Sequence, residues 1–377
     1  MTAIQTIQIT ELENMINLGY GLPSSSLLPL EMMRQAADHR LSQPDTTLLQ
    51  YGAEQGDGYF RLALANFLSL RYGEAVQMDT LFVTAGISQA LNFICTIFTK
   101  PGDTIFVEEP SYFLALRIFA DHDLNIVSLP TDENGLIIEA LEEKLTEEQP
   151  VFVYTVPAFH NPSGVTLSAS RREKLVELSQ THDFLIVADE VYHLLNYTMT
   201  PPAPMASYID SGTVLSLGSF SKIWAPGLRL GWIQAAPSLL KPLILSGMVD
   251  SGGSLNHFTS GIMRSAIELG LLDQHLTHLR DTYSQRLITL DTALQEHLPD
   301  LITYTKPPGG FFFWLRLPEE MDSRSFASKA KQYNVNFKHG INFSSQQGLR
   351  NHIRLSFSFH EADKLKEGVK RLKNVFA

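Results

Sequence analysis

Residues 216–232 read S-L-G-S-F-S-K-I-W-A-P-G-L-R-L-G-W and place one lysine in a setting that is unusual for the surface. Lys222 lies between small hydroxyl residues and a Pro-Gly turn that leads into Arg229. Burial disfavours the ammonium form of lysine, and a neutral amine can attack a carbonyl to form a Schiff base. The planar guanidinium of Arg229 suits a phosphate. The segment therefore fits a phosphorylated aldehyde, although a solvated loop lysine would also suit this composition.

Length and composition describe an ordinary globular protein. The chain has 377 residues, of which 44% are hydrophobic and 18% charged, so it can bury a large core. The net charge of −11 argues against nucleic acid or an anionic membrane as the main partner. The N-terminus lacks a signal-peptide pattern, and no apolar run approaches the roughly 18 residues of a membrane span. We therefore expect a cytoplasmic protein.

Cysteine usage gives no sign of a disulfide or a metal site. Cys95 is the one cysteine, and it lies in the apolar run L-N-F-I-C-T-I-F. We expect a reduced, buried thiol there. Without a cysteine pair at ligand spacing, we predict no bound metal.

Short apolar runs alternate with helix-like stretches between residues 81 and 235. The intervening stretch 168–181 is typical of such a helix, with a capping box predicted at Ser170 and Glu173. Continuous apolar runs without alternation favour strands that are covered on both faces, and hence a mainly parallel sheet flanked by helices. The runs are L-F-V-T (81–84), T-I-F-V-E (104–108), N-I-V-S-L (125–129), V-F-V-Y-T-V (151–156), F-L-I-V-A (184–188), T-V-L-S-L (213–217) and L-R-L-G-W-I (228–233).

Candidate site residues follow the predicted strands, where ligands bind in sheets of this type. Gly86 opens a turn after the first strand, and Ile87 and Ser88 begin a helix. Free N–H groups and the helix dipole make that turn a natural phosphate site. Tyr112 follows the next strand, where its ring could stack on a flat heterocycle or simply pack.

Two polar residues after later strands are further candidates for ligand contacts. Asn161 precedes a proline, so it could start a turn or donate its amide to a phenolate oxygen. Asp189 follows five apolar residues, and a buried carboxylate needs a cationic or hydrogen-bonding partner. A pyridinium about 4 Å away would supply about 4 kcal/mol of attraction at an effective dielectric of about 20. Tyr192 lies three residues further along.

Several motifs together resemble one family. S-F-S-K-x-x-x-P-G-x-R-x-G is similar to the lysine motif of the class I/II aminotransferases, which are fold-type I pyridoxal-phosphate (PLP) enzymes. Four further motifs of that family are matched in the family's order, namely Y-G-x-x-x-G, N-P-S-G, D-E-V-Y and R-L-S-F. The resemblance spans nearly the whole chain and is closest to compact members such as the 2-aminoadipate type. It implies an α/β fold, with a large domain built on a mainly parallel mixed sheet and a smaller C-terminal α/β domain.

The resemblance also implies a role for each candidate residue. Lys222 would hold PLP as a Schiff base, Asp189 would keep the pyridine nitrogen protonated, and Tyr112 would stack on the ring. Asn161 and Tyr192 would contact the ring hydroxyl. The residues implied for the phosphate are Gly86, Ile87, Ser88, Ser219 and Arg229, with Tyr51 reaching across a homodimer interface. The residues implied for the substrate are Gly21, in the glycine-rich loop I-N-L-G-Y-G-L-P, Asn161 and Arg354, which would bind the α-carboxylate.

Three segments are predicted from the change of pattern along the chain. Residues 1–45 form an N-terminal arm that joins the small domain and carries a short helix over 30–41. Residues 46–285 form the large PLP-binding domain, with a helical break at 251–254. Residues 286–377 form the small domain, whose predicted elements are a helix to about residue 297, strands near 309–317 and 335–337, and a last strand carrying Arg354.

The predicted activity is transamination between an amino acid and a 2-oxo acid, with Lys222 as the general base at Cα. An alternative is a PLP-dependent lyase or cyclase similar to capreomycidine synthase, which would eliminate a γ-substituent and close a ring on a hydroxylated arginine. The sequence departs from many relatives at His160 and at Lys338–His339, where a Pro-Gly is common, and this leaves the alternative open. A DNA-binding regulator is disfavoured, because the chain is acidic and only about 15 residues precede the first motif.

Overall fold

The computed structural model describes residues 7–9 and 14–376, in which thirteen strands form three sheets. The strands are β1 Ile16–Asn17, β2 Leu81–Thr84, β3 Thr104–Glu109, β4 Asn125–Asp132, β5 Gly135–Leu136, β6 Phe152–Thr155, β7 Leu185–Asp189, β8 Val214–Ser219, β9 Gly231–Ala235, β10 Phe312–Arg316, β11 Val335–Asn336, β12 Lys338–His339 and β13 His352–Ser356. The helices are α1 Leu30–Leu41, α2 Gly58–Tyr72, α3 Ile87–Phe98, α4 Phe113–Asp121, α5 Ile138–Leu145, α6 Ala169–His182, α7 Pro237–Ile244, α8 Gly247–Asp250, α9 His257–Glu268, α10 Leu271–His297, α11 Ala327–Gln332 and α12 Ala362–Phe376.

The large sheet is mixed and has the strand order β2-β9-β8-β7-β6-β3-β4-β5. Its centre, from β4 through β3, β6 and β7 to β8, is parallel, whereas β9 pairs antiparallel with both β8 and β2. Every residue of β2, β6, β8 and β9 is buried, which is why these strands read as continuous apolar runs. The predicted α/β fold class is confirmed.

The sheet brings the carboxyl ends of five strands to one edge. Strands β3, β6, β7 and β8 are parallel, so the segments that follow them emerge side by side. Strand β2 points the same way, because it is antiparallel to β9, which is itself antiparallel to β8. The turns that carry Gly86, Tyr112, Asn161 and Lys222 all follow these strands, and Asp189 ends β7.

A second, three-stranded sheet has the order β10-β13-β12 and is antiparallel throughout. Its middle strand carries Arg354, which pairs in register with Trp314 on one side and Lys338 on the other. Strand β1 pairs in parallel with β11, so the segment after residue 14 lies beside the C-terminal part of the chain. The division at 285/286 falls inside the uninterrupted helix α10, and the three-segment division remains a prediction.

Several element boundaries differ from the prediction for local reasons. The capping box at Ser170 and Glu173 is wrong, because Ser168 takes the N-cap position of α6 with an extended backbone. The strand expected from residue 228 begins at 231, because Arg229 has a φ of +48° and interrupts the extended chain. Cys95 is buried, as predicted. Among residues 7–9 and 14–376, no helix has the length and apolar character needed to cross a bilayer.

Candidate active site

Lys222 follows β8 and turns its amine towards the glycine-rich loop. Its Nζ donates a 2.8 Å hydrogen bond to the carbonyl of Gly21 and lies 5.7 Å from the centroid of the Phe311 ring. Burial lowers the pKa of this lysine from 10.5 to about 8, and the positive charge of Arg354 acts in the same direction. With a pKa of about 8, about one tenth of the amine is neutral and nucleophilic at pH 7, far more than for an ordinary lysine.

Asp189 ends β7 as a buried carboxylate with few partners. Asp189 is only 3% exposed. Its carboxylate accepts hydrogen bonds from the Tyr154 hydroxyl at 3.0 Å and from the Val191 N–H at 3.3 Å. Burial raises the pKa of Asp189 to about 6, although both hydrogen bonds oppose the shift and Lys222 also favours the ionised form. A group with a cationic ring nitrogen would compensate for this desolvation.

Arg354 is a buried cation without an acidic partner among the described residues. It is 3% exposed; its Nη1 donates to Asn161 Oδ1 at 2.7 Å and its Nη2 to the Gly19 carbonyl at 2.8 Å. The guanidinium also lies over the rings of Phe312, at 4.0 Å, and Phe343, at 4.9 Å. Burial lowers its pKa to about 10. A guanidinium held this way has unused capacity for an anion.

Arg229 and the first turn of α3 line a hollow that carries a second cation, separate from Arg354. The guanidinium makes only long hydrogen bonds, including 3.2 Å to the Pro226 carbonyl and 3.4 Å to the Ala85 carbonyl. Gly86 is the N-cap of α3 with a φ of +83°, and a Cβ there would lie 2.9 Å from Arg229 Nη2. Ser219 is linked to Arg229 through Ser221, whose Oγ accepts from the Ser219 hydroxyl at 2.9 Å and from Arg229 Nη1 at 3.4 Å. Ile87 and Ser88 supply the first turn of the helix.

Two tyrosines, Tyr112 and Tyr192, lie near these charged residues. Tyr112 is the N-cap of α4, and burial raises its pKa to about 12, while Asp189, Arg354 and Arg229 all act on it electrostatically. Its phenol therefore lies among the three charged groups. Tyr192 is buried, and its ring packs edge-on against Phe311 at 5.3 Å, while burial raises its pKa well above the usual value.

The glycine-rich loop closes over the amine at a position where a side chain would not fit. A Cβ at Gly21 would lie 2.8 Å from the Phe312 ring, so a larger residue would displace that ring, and it would also contact Arg354 Nη2 at 3.5 Å. The close approach to a ligand site that the sequence suggested for this loop is consistent with that geometry.

Tyr51 is the one candidate that a single chain does not bring to the others. It is 84% exposed and lies next to Gly252, at which an added Cβ would be 3.7 Å from its ring. Among the described residues, no hydrogen bond, ion pair or ring contact joins Tyr51 to Lys222 or Arg229. Its role remains a prediction that depends on a second subunit.

Comparison with known proteins decides the family. The model of the family described as Aminotransferase class I and II matches residues 13–372. The chain belongs to the class I and II aminotransferases. These enzymes use PLP, and the chain is a PLP-dependent aminotransferase, as the sequence predicted.

The relatives extend over almost the whole of this aminotransferase. Aromatic-amino-acid aminotransferase 1 of Thermococcus litoralis is 36% identical over 374 residues, covering 98% of this chain and 89% of its own. The multiple substrate aminotransferase of Thermococcus profundus superposes with a TM-score of 0.90 at 36% identity, covering 97% and 92% of the two chains. The α-aminoadipate aminotransferase of Thermus thermophilus, solved with N-(5'-phosphopyridoxyl)-L-leucine, superposes with a TM-score of 0.87 at 27% identity, covering 96% and 92%.

The cavity of this aminotransferase fits its cofactor. The hollow at Arg229 offers a side-chain cation and helix N–H groups beside a glycine that leaves room for a phosphate. Asp189 is a buried carboxylate whose desolvation a cationic ring nitrogen would compensate. Asp189 and Lys222 act on each other electrostatically, so the two side chains lie in one region. A phosphate, a ring nitrogen and an aldehyde are three of the groups that PLP presents.

Some residues of the site were not predicted. Tyr154, which holds Asp189, carries no turn or glycine signal because it lies inside the apolar strand β6. Phe312 and Phe343 come from distant segments and meet only at Arg354. A run such as G-G-F-F-F-W signals a strand but does not show which ring faces a ligand.

The structure shows the contacts of His160, whose role the sequence did not establish. It is buried, with Nε2 3.1 Å from Glu108 Oε2 and Nδ1 2.9 Å from the Ser163 hydroxyl. Glu108 also accepts from the Val156 N–H at 2.9 Å. These contacts link the end of β3 to the loop after β6 and so fix the backbone that carries Asn161.

Proposed function

We propose that this aminotransferase exchanges the amino group of an L-α-amino acid with the oxo group of a 2-oxo acid, with Lys222 as the base at Cα. One observation carries the proposal. The amine of Lys222, with its lowered pKa, and the guanidinium of Arg354, which has no acidic partner among the described residues, act on each other electrostatically, and both donate to the glycine-rich loop, at the Gly21 and Gly19 carbonyls. A base and an anion site so placed can hold an α-carboxylate and reach the neighbouring Cα–H.

The chain's own residues would hold the cofactor from three sides. Arg229, Ser219, Gly86 and the N-terminus of α3 would bind its phosphate, and Asp189 would pair with its ring nitrogen. Asn161 and Tyr192 would contact the ring hydroxyl, and Tyr112 would cover the ring face. When bound, PLP supplies an electron sink that stabilises negative charge at Cα.

Proton movement would depend on the environment of Lys222. Its Nζ takes the Cα proton and returns it within the same cavity, for which a pKa near the working pH is optimal. The Gly21 carbonyl accepts a hydrogen bond from Nζ and so orients the amine. Arg354 fixes the substrate by its carboxylate, with Asn161 holding one side of the guanidinium.

The substrate side chain would lie against aromatic rings. Phe312 and Phe343 flank Arg354, and Phe113 contacts Phe343 with ring centroids 5.4 Å apart. Such walls favour aromatic and long aliphatic side chains. The name of one relative, an aromatic-amino-acid aminotransferase, agrees with the aromatic part of this substrate class.

The active enzyme would be a homodimer in which Tyr51 reaches the phosphate of the neighbouring subunit. Mixed dimers of Lys222→Ala and Tyr51→Ala chains test this arrangement. If Tyr51 acts across the interface, one site of each mixed dimer has no substitution, and activity rises well above that of either parent. If Tyr51 acts within its own chain, every site carries one defect and mixing gives no gain.

The proposed reaction is tested with holoenzyme and single substrates. An L-amino acid added without an oxo acid should bleach the yellow absorbance in proportion to enzyme, and a 2-oxo acid added afterwards should restore it. Continuous turnover of an amino acid without bleaching and without any oxo acid would instead support a lyase or cyclase.

A further inference from the structure

Lys338 lies directly opposite the residue that the proposed function assigns to the α-carboxylate. It pairs in register with Arg354 across the antiparallel strands β12 and β13. Directly opposed residues in an antiparallel pair project their side chains from the same face of the sheet. The lysine therefore lies beside the guanidinium, on the same face of the small sheet.

The ammonium of Lys338 has no acidic partner among residues 7–9 and 14–376. Its Nζ lies 5.4 Å from the centroid of the Phe113 ring, and no carboxylate of the described part of the chain lies within ion-pair distance. Its stem is covered by the glycine-rich loop, since a Cβ at Gly19 would lie 3.1 Å from Lys338 Cγ. Burial, with a smaller effect of Arg354, lowers its pKa. A half-buried cation of this kind has lost hydration without gaining an anion.

An aromatic surface joins the two cations. The guanidinium of Arg354 lies 4.9 Å from the Phe343 centroid, the Phe343 and Phe113 rings are 5.4 Å apart, and Phe113 contacts the ammonium of Lys338. A substrate whose α-carboxylate is on Arg354 can lay its methylene groups on these rings. A second carboxylate at the end of that side chain then reaches the lysine.

We infer that Lys338 is a specificity-determining residue that binds the anionic side-chain terminus of dicarboxylic amino acids and 2-oxo acids while Arg354 binds their α-carboxylate. The inference rests on the proposed function. It gives a physical reason for the lysine of the K-H-G sequence at residues 338–340, where the resemblance led us to expect Pro-Gly. Substrates without a second charge still bind, because the rings alone accommodate them.

The test compares L-glutamate with its neutral isostere L-glutamine, and with L-phenylalanine, in single-turnover bleaching of the holoenzyme. The wild-type bleaching rate with glutamate should be about tenfold or more above the rate with glutamine. A modest charge interaction between Lys338 and the side-chain carboxylate is enough for such a ratio. Lys338→Met should bring the two to near equality and leave phenylalanine within about twofold. Lys338→Arg should retain the preference for glutamate. Lys331→Met, which removes an exposed lysine of helix α11, should change none of the three rates.

Three other results would overturn the inference, and a fourth would overturn the proposed function. A preference for glutamate that survives in Lys338→Met, an equal loss for all three amino acids, or a wild type that does not favour glutamate over glutamine would overturn the inference. Bleaching by phenylalanine in those cases would leave the proposed function intact. If no amino acid bleaches the wild-type enzyme, the proposed function itself has failed.

Discussion

Arg354 Nη1 and Asn161 Oδ1 are 2.7 Å apart, although the two residues are 193 positions apart in the chain. One comes from the middle strand of the small sheet and the other from the loop after β6 of the large sheet. In the proposed function, Asn161 would contact the cofactor ring while it holds the guanidinium that would bind the substrate carboxylate. The hydrogen bond would then couple the substrate side of the site to the cofactor side.

Arg354→Lys should impair substrate binding more than cofactor binding. A lysine retains the charge but cannot donate to Asn161, to Gly19 and to a carboxylate in one planar fork. We expect the KM for amino acids to rise by about 30-fold or more, equivalent to about 2 kcal/mol, with the yellow absorbance unchanged. Steady-state kinetics measure this change. Arg316→Lys, at an exposed position of β10, is the matched control and should leave KM unaltered.

Asp189→Asn should leave the cofactor bound but slow the chemistry. The amide has the same shape and can still accept from Tyr154, yet it cannot keep a ring nitrogen protonated. We expect kcat to fall by about 10²–10³, the effect of removing one preorganised electrostatic partner, with little change in KM. Asp250→Asn removes an exposed carboxylate elsewhere and should behave as wild type. A kcat within twofold of wild type for Asp189→Asn would contradict this role.

The lowered pKa of Lys222 predicts how apoenzyme takes up PLP. Only the neutral amine attacks the aldehyde, and with a pKa of about 8 it becomes the major form above about pH 8. The rate at which yellow absorbance appears should rise about tenfold per pH unit below pH 8 and level off above it. Nα-acetyllysine in solution supplies the reference, because its rate keeps rising to beyond pH 10. An enzyme curve that follows the reference would show that the site does not perturb this amine.

Gly86→Ala should weaken PLP binding, and Gly212→Ala provides a matched comparison. Both glycines have positive φ, of +83° and +79°, so each alanine costs about 1–3 kcal/mol of stability through backbone strain. Only at Gly86 would the added Cβ meet Arg229, whereas at Gly212 nothing lies within 4 Å. The PLP dissociation constant should rise at least about tenfold for Gly86→Ala and stay unchanged for Gly212→Ala. Equal affinities in the two variants would argue against a phosphate at this turn.

The sequence predicted the large sheet well because its strands are buried on both faces. The runs at 81–84 and 104–108 coincide with β2 and β3 to within one residue, since burial on both sides leaves a continuous apolar signal. Local turns were harder to place. The position of the α6 cap and the start of β9 depend on backbone angles at Ser168 and Arg229, which the hydrophobic pattern does not encode.

The site was predicted in part because its polar residues interrupt apolar strands. Asp189 at the end of β7 and Lys222 after β8 stand out against their neighbours, and the sheet then brings them together. The contacts of Lys338 and His160 could not be predicted in this way. They depend on the register of β12 with β13 and on the approach of β3 to the loop after β6, which are long-range features of packing.

The most direct test of the account is to locate the covalent attachment of PLP. Borohydride reduction of the holoenzyme, followed by digestion and mass spectrometry of the peptides, identifies the labelled lysine. We expect the phosphopyridoxyl group on Lys222 alone, and no labelled peptide from a Lys222→Ala variant that remains folded. A label on any other lysine of the wild-type enzyme, or none at all after reduction, would contradict the account.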